Sequence, residues 1–244
     1  MEINHHLLKS LLYALTSFIT ATSLMAQDMS KTYVLSEFKK ASEVIPFNER
    51  FQFENFTKGY VTKQSGAKSE VRLNYSYLYG DILFIGPAFD TLSISDAHLV
   101  KNVTIGENRY LYDQRYGFVE ILAEYDGVKV GKKCQMVFKD FNNRVRFERL
   151  ESFTAKPGQN TFIGMPGKVN VANLTNVRLK PEIDYFLIDK NNRFHTARRE
   201  SVTRIFAKSR KNVLNYLDSH AVDYKNEADL KNVIEYCANL ESSL

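Results

Sequence analysis

Tryptophan is absent from this 244-residue sequence, and cysteine, proline and glycine are few, with 2, 5 and 11 residues respectively. Neither cysteine belongs to a Cys-x-x-Cys pair, which is the spacing typical of structural zinc sites. The three histidines beyond residue 26 do not stand at metal-ligand spacing to one another. A metal site is therefore not expected, and no cofactor is predicted.

Several catalytic motifs are also missing. The sequence contains no Gly-x-Ser-x-Gly nucleophile elbow and no glycine-rich phosphate loop of either standard form. Ser95, Asp96 and His98 are close in sequence, but catalytic triads are assembled in space from distant residues, so we interpret this stretch as a polar turn. His195 is interpreted as a surface or strand-edge residue after a turn. No catalytic, cofactor-binding or metal-binding residue is predicted.

Long apolar runs are rare, and the one near the N terminus is short. Lys9 precedes an uncharged apolar run from Leu11 to Ala21, and small and polar residues follow. This order is typical of a secretory signal peptide. The run of about 11 residues is shorter than the roughly 20 that a membrane-spanning helix needs. We expect residues 1–26 to be a signal peptide, with cleavage after Ser23 as an alternative, and the protein to be exported to the periplasm or the extracellular space.

No later run is long enough to cross a bilayer, so an integral membrane protein is not expected. The net charge of +5 is small and spread out, which disfavours a nucleic-acid partner. One basic stretch stands out, and it can meet an anionic lipid, a glycan or an acidic partner, although most such faces are only solvated. It consists of Arg198, Arg199, Arg204, Lys208, Arg210 and Lys211.

Tyrosine (14) and phenylalanine (17) are plentiful, which favours strands. The clearest pattern is the segment 117–139, GFVEILAEYDGVKVGKKCQMVFK, in which Asp126 and Gly127 signal a two-residue hairpin turn. Closing the strands on this turn places apolar residues opposite each other and glutamates opposite lysines. Lys132 is the exception, because it falls on the apolar face. The predicted pairs are Tyr125 with Val128, Ala123 with Val130, Val119 with Cys134, Glu124 with Lys129, and Glu120 with Lys133.

Other segments also predict strands. In EVRLNYSY, Val71, Leu73, Tyr75 and Tyr77 alternate with Arg72, Asn74 and Ser76, and ILFI (82–85) is apolar on both faces. Residues 31–45 fit a short helix with Leu35, Phe38, Ala41 and Ile45 on one face. Further strands are predicted in KGYVTK, VKNVTI, RYLY, EIDYFLID and RFHT, with turns at Pro157-Gly158 and Pro166-Gly167 around NTFIG.

The pattern changes to helical spacing after Thr196. Ser209 is a candidate N-cap for one helix, and Asn226 caps the last one, with Asp229 in its first turn. We therefore predict an α+β fold, mainly antiparallel β as a sandwich or an open barrel-like meander, with C-terminal helices packed on it. The predicted domains are a β-rich domain at 27–195 and a helical segment at 196–244. The helical apolar positions are Val202, Ile205, Phe206, Val213, Leu214, Leu217, Leu230, Val233, Ile234, Cys237 and Leu240.

Two post-translational features stay open. An oxidising compartment permits a disulfide between Cys134 and Cys237, whereas two buried free thiols are the favoured alternative. Asparagine sequons matter only in a host that glycosylates asparagine. They begin at Asn55, Asn74, Asn102 and Asn173.

The C-terminal segments YFLID, ESVTRIF and NVLNYLDSHAVDYKNEADLKNVIEY, together with LNYSYLYGDILFI, resemble a loose group of exported Bacteroidota-type proteins of unknown function. The resemblance covers about half of the chain. It implies a signal peptide, a β-rich body and a short helical C-terminal end. It implies no catalytic residues.

The favoured function is a non-enzymatic binding or structural role. A concave sheet face lined by tyrosine and phenylalanine would hold an apolar small molecule or a peptide, or the protein would contact another envelope component. The alternative is a hydrolase with a site assembled from scattered carboxylates and tyrosines, which perturbed titrating groups in a pocket would support. An outer-membrane-associated barrel is disfavoured, because it needs longer strands with an uninterrupted apolar face.

Overall fold

The computed structural model describes residues 31–35, 41–139, 144–146 and 177–242. Twelve strands in these residues form one sheet, and all strand pairs are antiparallel. The strands are β1 Tyr33–Leu35, β2 Thr57–Lys63, β3 Lys68–Ser76, β4 Asp81–Ile85, β5 Thr91–Ser93, β6 Val100–Ile105, β7 Asn108–Asp113, β8 Gly117–Tyr125, β9 Val128–Lys139, β10 Arg144–Arg146, β11 Val177–Ile188 and β12 Phe194–Thr196.

Helices stand at the two ends of the described chain. The α-helices are α1 Ala41–Val44, α2 Phe47–Arg50, α3 Arg199–Ile205, α4 Arg210–Ser219 and α5 Glu227–Ser242. An antiparallel sheet followed by C-terminal helices confirms the predicted α+β fold class. The proposed division into domains at residues 195 and 196 stays a prediction. Among the described residues, no helix is both long enough and apolar enough to span a membrane.

The sheet is an open meander that curls on itself. Neighbouring strands follow the order β1-β11-β9-β8-β7-β6-β2-β3-β4-β5, with β10 added on β9 and β12 on β11. Four strands separate β9 from β3 in this order, yet the two approach each other in space. The Met136 amide on β9 donates a hydrogen bond to the Tyr77 carbonyl just after β3, with N and O 2.6 Å apart. This curl encloses one face of the sheet.

The enclosed face forms a hydrophobic core. Alternate residues of the strands point into it, as the two-residue period of a strand requires. Burying each large apolar side chain contributes roughly 1.5–3 kcal/mol relative to exposure. The buried members are Leu73, Tyr75, Ile82, Ala97, Val100, Val103, Ile105, Tyr110 and Phe118.

The β8–β9 hairpin forms at the predicted turn. Asp126 and Gly127 have φ values of 46° and 78°, as the turn requires. Next to the turn, Tyr125 pairs with Val128, Glu124 with Lys129, and Ala123 with Val130, which confirms the predicted register there.

Beyond Ala123 the predicted register is wrong by one residue. A β-bulge leaves Leu122 without a partner, so Ile121 pairs with Gly131 and Glu120 pairs with Lys132. The expected pairs of Glu120 with Lys133 and of Val119 with Cys134 are therefore not formed. Gly131 permits the close approach here, because a Cβ on it would lie 2.6 Å from a side-chain carbon of Val119.

Strand β3 shows the predicted alternation, with Leu73 and Tyr75 in the core, but its other face is also covered. Asn74 is 0% exposed because residues 51–56 lie over it. The Phe53 amide donates to Asn74 Oδ1 at 3.1 Å, and Asn74 Nδ2 donates to the Phe53 carbonyl at 2.8 Å. The sequon at Asn74 is thus buried, whereas the one at Asn55 is exposed.

The helix predicted over residues 31–45 is wrong at its start. Tyr33–Leu35 forms strand β1, which pairs with β11 from Tyr33 opposite Leu179 to Leu35 opposite Val177. Only Ala41–Val44 is helical, and residues 36–40 lie outside the described residues. The turns predicted at Pro157-Gly158 and Pro166-Gly167 also lie outside them.

The C-terminal helices pack on the sheet through the predicted apolar stripes. Asn226 caps α5 as predicted, because its Oδ1 accepts hydrogen bonds from the amides of Ala228 (2.9 Å) and Asp229 (3.2 Å). Ser209 stands at the N-cap position of α4 as predicted, but its side chain makes no capping hydrogen bond. The buried cluster joining sheet and helices contains Val128, Val130, Leu187, Val202, Phe206, Val213, Leu217, Leu230, Val233, Ile234, Cys237 and Ala238.

Candidate functional site

The aromatic face predicted to hold a ligand is part of the packed core. Tyr75 and Tyr110 are 2% and 0% exposed, and their rings stack with centroids 5.5 Å apart. The Tyr75 hydroxyl donates to the Cys134 carbonyl at 3.0 Å, which ties β3 to β9. These rings fill the curl of the sheet, so a ligand site must be sought elsewhere.

A polar network lies at the edge of this core, around the nearly buried carboxylate of Glu120. Glu120 Oε1 accepts hydrogen bonds from Asn108 Nδ2 and from Gln52 Nε2, the latter at 3.3 Å. The amide oxygen of Gln52 accepts a hydrogen bond from the Tyr110 hydroxyl at 2.9 Å. Each polar group of the network thus has a partner, as buried polar groups require.

Lys132 connects this network to the C-terminal helices. Its Nζ lies 4.0 Å from Glu120 Oε2 and 3.6 Å from Glu227 Oε2 at the start of α5. The ammonium therefore stands between two carboxylates, one from the sheet and one from a helix. This contact explains why a lysine occupies the face that the hairpin pattern predicts to be apolar.

The network offers no activated nucleophile. Burial raises the pKa of Tyr75 and of Tyr110 well above the ordinary value, and it raises the pKa of Cys134 to about 12. These groups stay protonated at neutral pH, and a protonated thiol is a poor nucleophile. The arrangement is that of a structural network and does not favour the hydrolase hypothesis.

The other chemistry-bearing residues of the sequence are dispersed. His195 lies on the short edge strand β12, as predicted for a strand-edge residue, with Nε2 3.3 Å from Asp189 Oδ2. Ala97 and His98 belong to a 3₁₀ turn. Cys134 and Cys237 are both buried free thiols, the favoured alternative. Within the described residues, no cluster of His, Cys, Asp and Glu could hold a metal ion.

A groove of about 510 Å³ lies on the C-terminal helices, and we call it the helix groove. On α4, residues three or four apart share one face, and this spacing brings its lining residues together. The last turns of α5 supply the opposite wall, from Tyr236 to Leu240. The lining residues are Asn212, Asn215, Tyr216, Ser219, His220, Tyr236 and Leu240.

Three rings are stacked in the helix groove. Tyr216 lies between His220 and Tyr236, and each neighbouring pair of centroids is 4.0 Å apart with the planes 18° from parallel. Both faces of the Tyr216 ring are therefore covered. The two outer rings belong to exposed residues, and Tyr236 is 37% exposed.

Polar side chains surround these rings. His220 Nδ1 lies 2.9 Å from the Tyr216 carbonyl oxygen and 2.9 Å from the Ser219 hydroxyl oxygen, so this ring nitrogen is engaged within the chain. Asn212 and Asn215 are exposed, and in the described chain neither side-chain amide makes a hydrogen bond. Each of these amides can both donate to and accept from a ligand.

The basic stretch predicted at residues 198–211 divides into two parts. Arg198 and Arg199 have carboxylate partners, Glu200 at 3.7 Å and Asp218 at 2.5 Å. The other four side chains are exposed, and no carboxylate of the described residues lies within 4.0 Å of them. They are Arg204, Lys208, Arg210 and Lys211.

The helix groove was not predicted from the sequence, because the apolar stripes of these helices indicate only which faces are buried. The usable signal was a pair of tyrosines outside the predicted stripes. Tyr216 stands on α4 and Tyr236 on α5, so each helix carries a large aromatic side chain beside its stripe.

Comparison with protein-family models, with curated proteins and with solved structures finds no match to this chain. The resemblance to exported proteins of the Bacteroidota type therefore stays a prediction. Any function must be argued from the geometry above.

Proposed function

We propose that this chain is an exported, non-enzymatic binding protein, and that the helix groove is its ligand site. The observation that carries the proposal is the stack of His220, Tyr216 and Tyr236, whose two outer residues are exposed. Beside it lie the side-chain amides of Asn212 and Asn215, which make no hydrogen bond within the described residues. The groove volume falls in the range of roughly 300–1,000 Å³ that is usual for small-ligand sites.

The lining favours a sugar over an apolar molecule or a peptide. One face of a sugar ring carries C–H groups, which pack on the electron-rich face of an aromatic ring. Its hydroxyl groups both donate and accept hydrogen bonds, and so do the side chains of Asn212 and Asn215. Among the described residues that line the groove, only Leu240 is aliphatic, so an apolar ligand would leave these amides unpaired. Among the expected partners, an envelope glycan fits best.

Export is supported by the leader sequence, residues 1–26, with its basic start and short apolar run. N-terminal sequencing of the protein from its natural host tests this part. We expect an envelope or culture-medium protein that begins at Gln27 or at Leu24. A soluble cytosolic species that retains Met1 would contradict export.

Saturation-transfer NMR with defined neutral and acidic trisaccharides tests the binding part. We expect the purified protein to give transfer signals from at least one trisaccharide, and we expect Tyr236→Ala to lose them. Tyr79→Ala is the matched control, because Tyr79 is 45% exposed in the turn between β3 and β4 and does not line the helix groove. Equal signals from wild type and Tyr236→Ala, or none from either, would overturn the assignment of the site.

A further inference from the structure

The helix groove is not electrically symmetric along its length. Along α4 the groove extends from Asn212, near the N-terminal end of the helix, to Ser219 and His220 at its C-terminal end. Three of the four cations without a carboxylate partner among the described residues lie in or just before the first turn of α4, at the Asn212 end. They are Lys208, Arg210 and Lys211, whereas Arg204 lies on α3.

One of these cations, Lys211, lies on the lining face of α4, and Lys208 lies in the 3₁₀ turn Ala207–Ser209 just before the helix. Lys211 stands four residues before Asn215, and Lys208 stands four residues before Asn212. Residues four apart on a helix lie on one face, about 6 Å apart along the axis. A lysine side chain is long enough to extend over that distance, so the Lys211 ammonium can reach a ligand that lies on the asparagines. Lys208 adds a second positive charge just before the same end of the groove.

The absence of nearby carboxylates distinguishes these cations from many others in the described chain. Exposed cations are commonly neutralised by an acid of the same molecule, and here several are. The cations with a carboxylate within 4.0 Å are Lys31, Lys58, Arg109, Lys129, Lys132, Lys190, Arg193, Arg198, Arg199 and Lys231. Within the described residues, the positive charge at the Asn212 end of the groove has no carboxylate partner, and it lies beside the groove, unlike the unpaired lysines of the sheet.

We infer that the ligand of the helix groove is an acidic sugar, in which a ring carrying a carboxylate packs on the stacked aromatic residues. The carboxylate points to the Asn212 end, where Lys208 and Lys211 bind it. This inference rests on the proposed function and deepens it. The acidic sugar is either a free sugar acid or a unit of an acidic polysaccharide, since both present the same group.

Isothermal titration calorimetry with trigalacturonate and with its methyl ester tests the inference, because the ester replaces each negative charge by a neutral methyl ester and leaves the sugar rings unchanged. We expect the acid to bind about tenfold more tightly than the ester at roughly 20 mM salt, and we expect the difference to shrink at roughly 150 mM. Galacturonate monomer serves as a further probe. Binding of the monomer with similar affinity identifies a free sugar acid, and a clear preference for the trimer identifies a polymer.

Two double variants separate specific from general electrostatics. Lys208→Ala with Lys211→Ala should weaken binding of the acid about three- to tenfold and leave the ester unchanged. Lys63→Ala with Lys101→Ala removes the same charge from exposed lysines on the sheet. It should change the affinity for either probe by no more than about twofold. All four lysines are exposed, so folding is retained, which far-UV circular dichroism verifies.

The failures of the two proposals are distinguishable. If acid and ester bind equally to the wild type, and Tyr236→Ala abolishes both, the acidic ligand is wrong and the binding site stands. If both double variants weaken binding of the acid equally, the specific role of Lys208 and Lys211 is wrong. If neither probe nor any neutral trisaccharide binds, the binding site and the inference both fall.

Discussion

Glu120 and Lys132 face each other on neighbouring strands, with Oε2 and Nζ 4.0 Å apart, because the bulge at Leu122 shifts the register by one residue. Without that shift Glu120 would lie opposite Lys133. Lys133 instead donates a hydrogen bond from Nζ to the Tyr116 carbonyl. The bulge thus places a carboxylate and an ammonium where they join the core network to helix α5.

The first prediction concerns the acceptor role of Glu120. Glu120→Gln keeps an oxygen for Asn108 and Gln52 and should cost about 1 kcal/mol of unfolding free energy. Glu120→Ala leaves both amide donors without an acceptor and should cost about 2–3 kcal/mol. Urea unfolding followed by circular dichroism measures both.

The matched control is Glu124→Gln on the same strand. Glu124 pairs with Arg109 at the surface, where both side chains are about two-fifths exposed, so its loss should cost under about 1 kcal/mol. Equal losses of unfolding free energy from Glu120→Ala and Glu124→Gln would show that the Glu120 network stabilises the fold no more than a surface ion pair does.

The second prediction concerns acid stability. Partial burial alone would raise the pKa of Glu227, but the hydrogen bond from Lys231 and the charge of Lys132 outweigh it and lower the pKa below its usual 4.5. A carboxyl whose pKa is lowered on folding adds stability above its unfolded-state pKa, and this stability disappears as the pH falls through the folded-state pKa. Glu227→Gln should therefore reduce stability at pH 7 and change little at pH 3.

Urea midpoints at the two pH values check this prediction. Wild type itself loses stability in acid, because the pKa values of Glu124 and Asp189 are also lowered on folding. The informative quantity is the difference between wild type and variant, which should shrink as the pH falls. A difference that is equal at pH 7 and pH 3 would contradict the assigned role of Glu227.

The third prediction concerns the buried amide of Asn74. Its side chain makes three hydrogen bonds to the backbone of Phe53 and Asn55. Asn74→Ala should cost about 2–4 kcal/mol, because it leaves these buried backbone groups unpaired. Asn55→Ala, in the same segment but exposed, is the control and should cost under about 0.5 kcal/mol. A thermal-unfolding comparison decides between them, and similar losses would refute the role given to Asn74.

The fourth prediction concerns the thiols. Burial raises the pKa of Cys134 and of Cys237 to about 12, so neither is a reactive thiolate at pH 8. Iodoacetamide should leave the folded protein unmodified and should add two groups in urea without any reductant. Mass spectrometry of both samples checks this. Two added groups only after reduction would reveal a disulfide instead.

Local chemistry made much of the fold predictable. The turn at Asp126 and Gly127 needs only its own two residues, so the neighbouring pairs were correct. The bulge depends on the close approach of Val119 to Gly131 across the strand pair. The periodicity of the sequence does not reveal this contact. Burial of Asn74 depends on residues 51–56 folding over β3, and alternation alone does not show what covers a face.

The candidate site was less predictable for a related reason. Its centre is the contact of Tyr216 with Tyr236, which belong to different helices and meet only after both dock on the sheet. The spacing of each helix shows which face is buried, but it does not show which exposed faces meet. The basic residues were visible in sequence, whereas their pairing with acids became clear only from the structure.

Strand β8 should keep its pairing with β9 when Leu122 is deleted. Since it opposes nothing on β9, its removal would leave Ala123 opposite Val130 and Ile121 opposite Gly131, as they are now. A deletion at Val119 would instead shift Phe118 and the residues before it by one position, so that their side chains would point to the opposite face of the sheet. The Phe118 ring would then leave the core for solvent. Shortened relatives of this chain, if they arise, should lose their residue at the bulge.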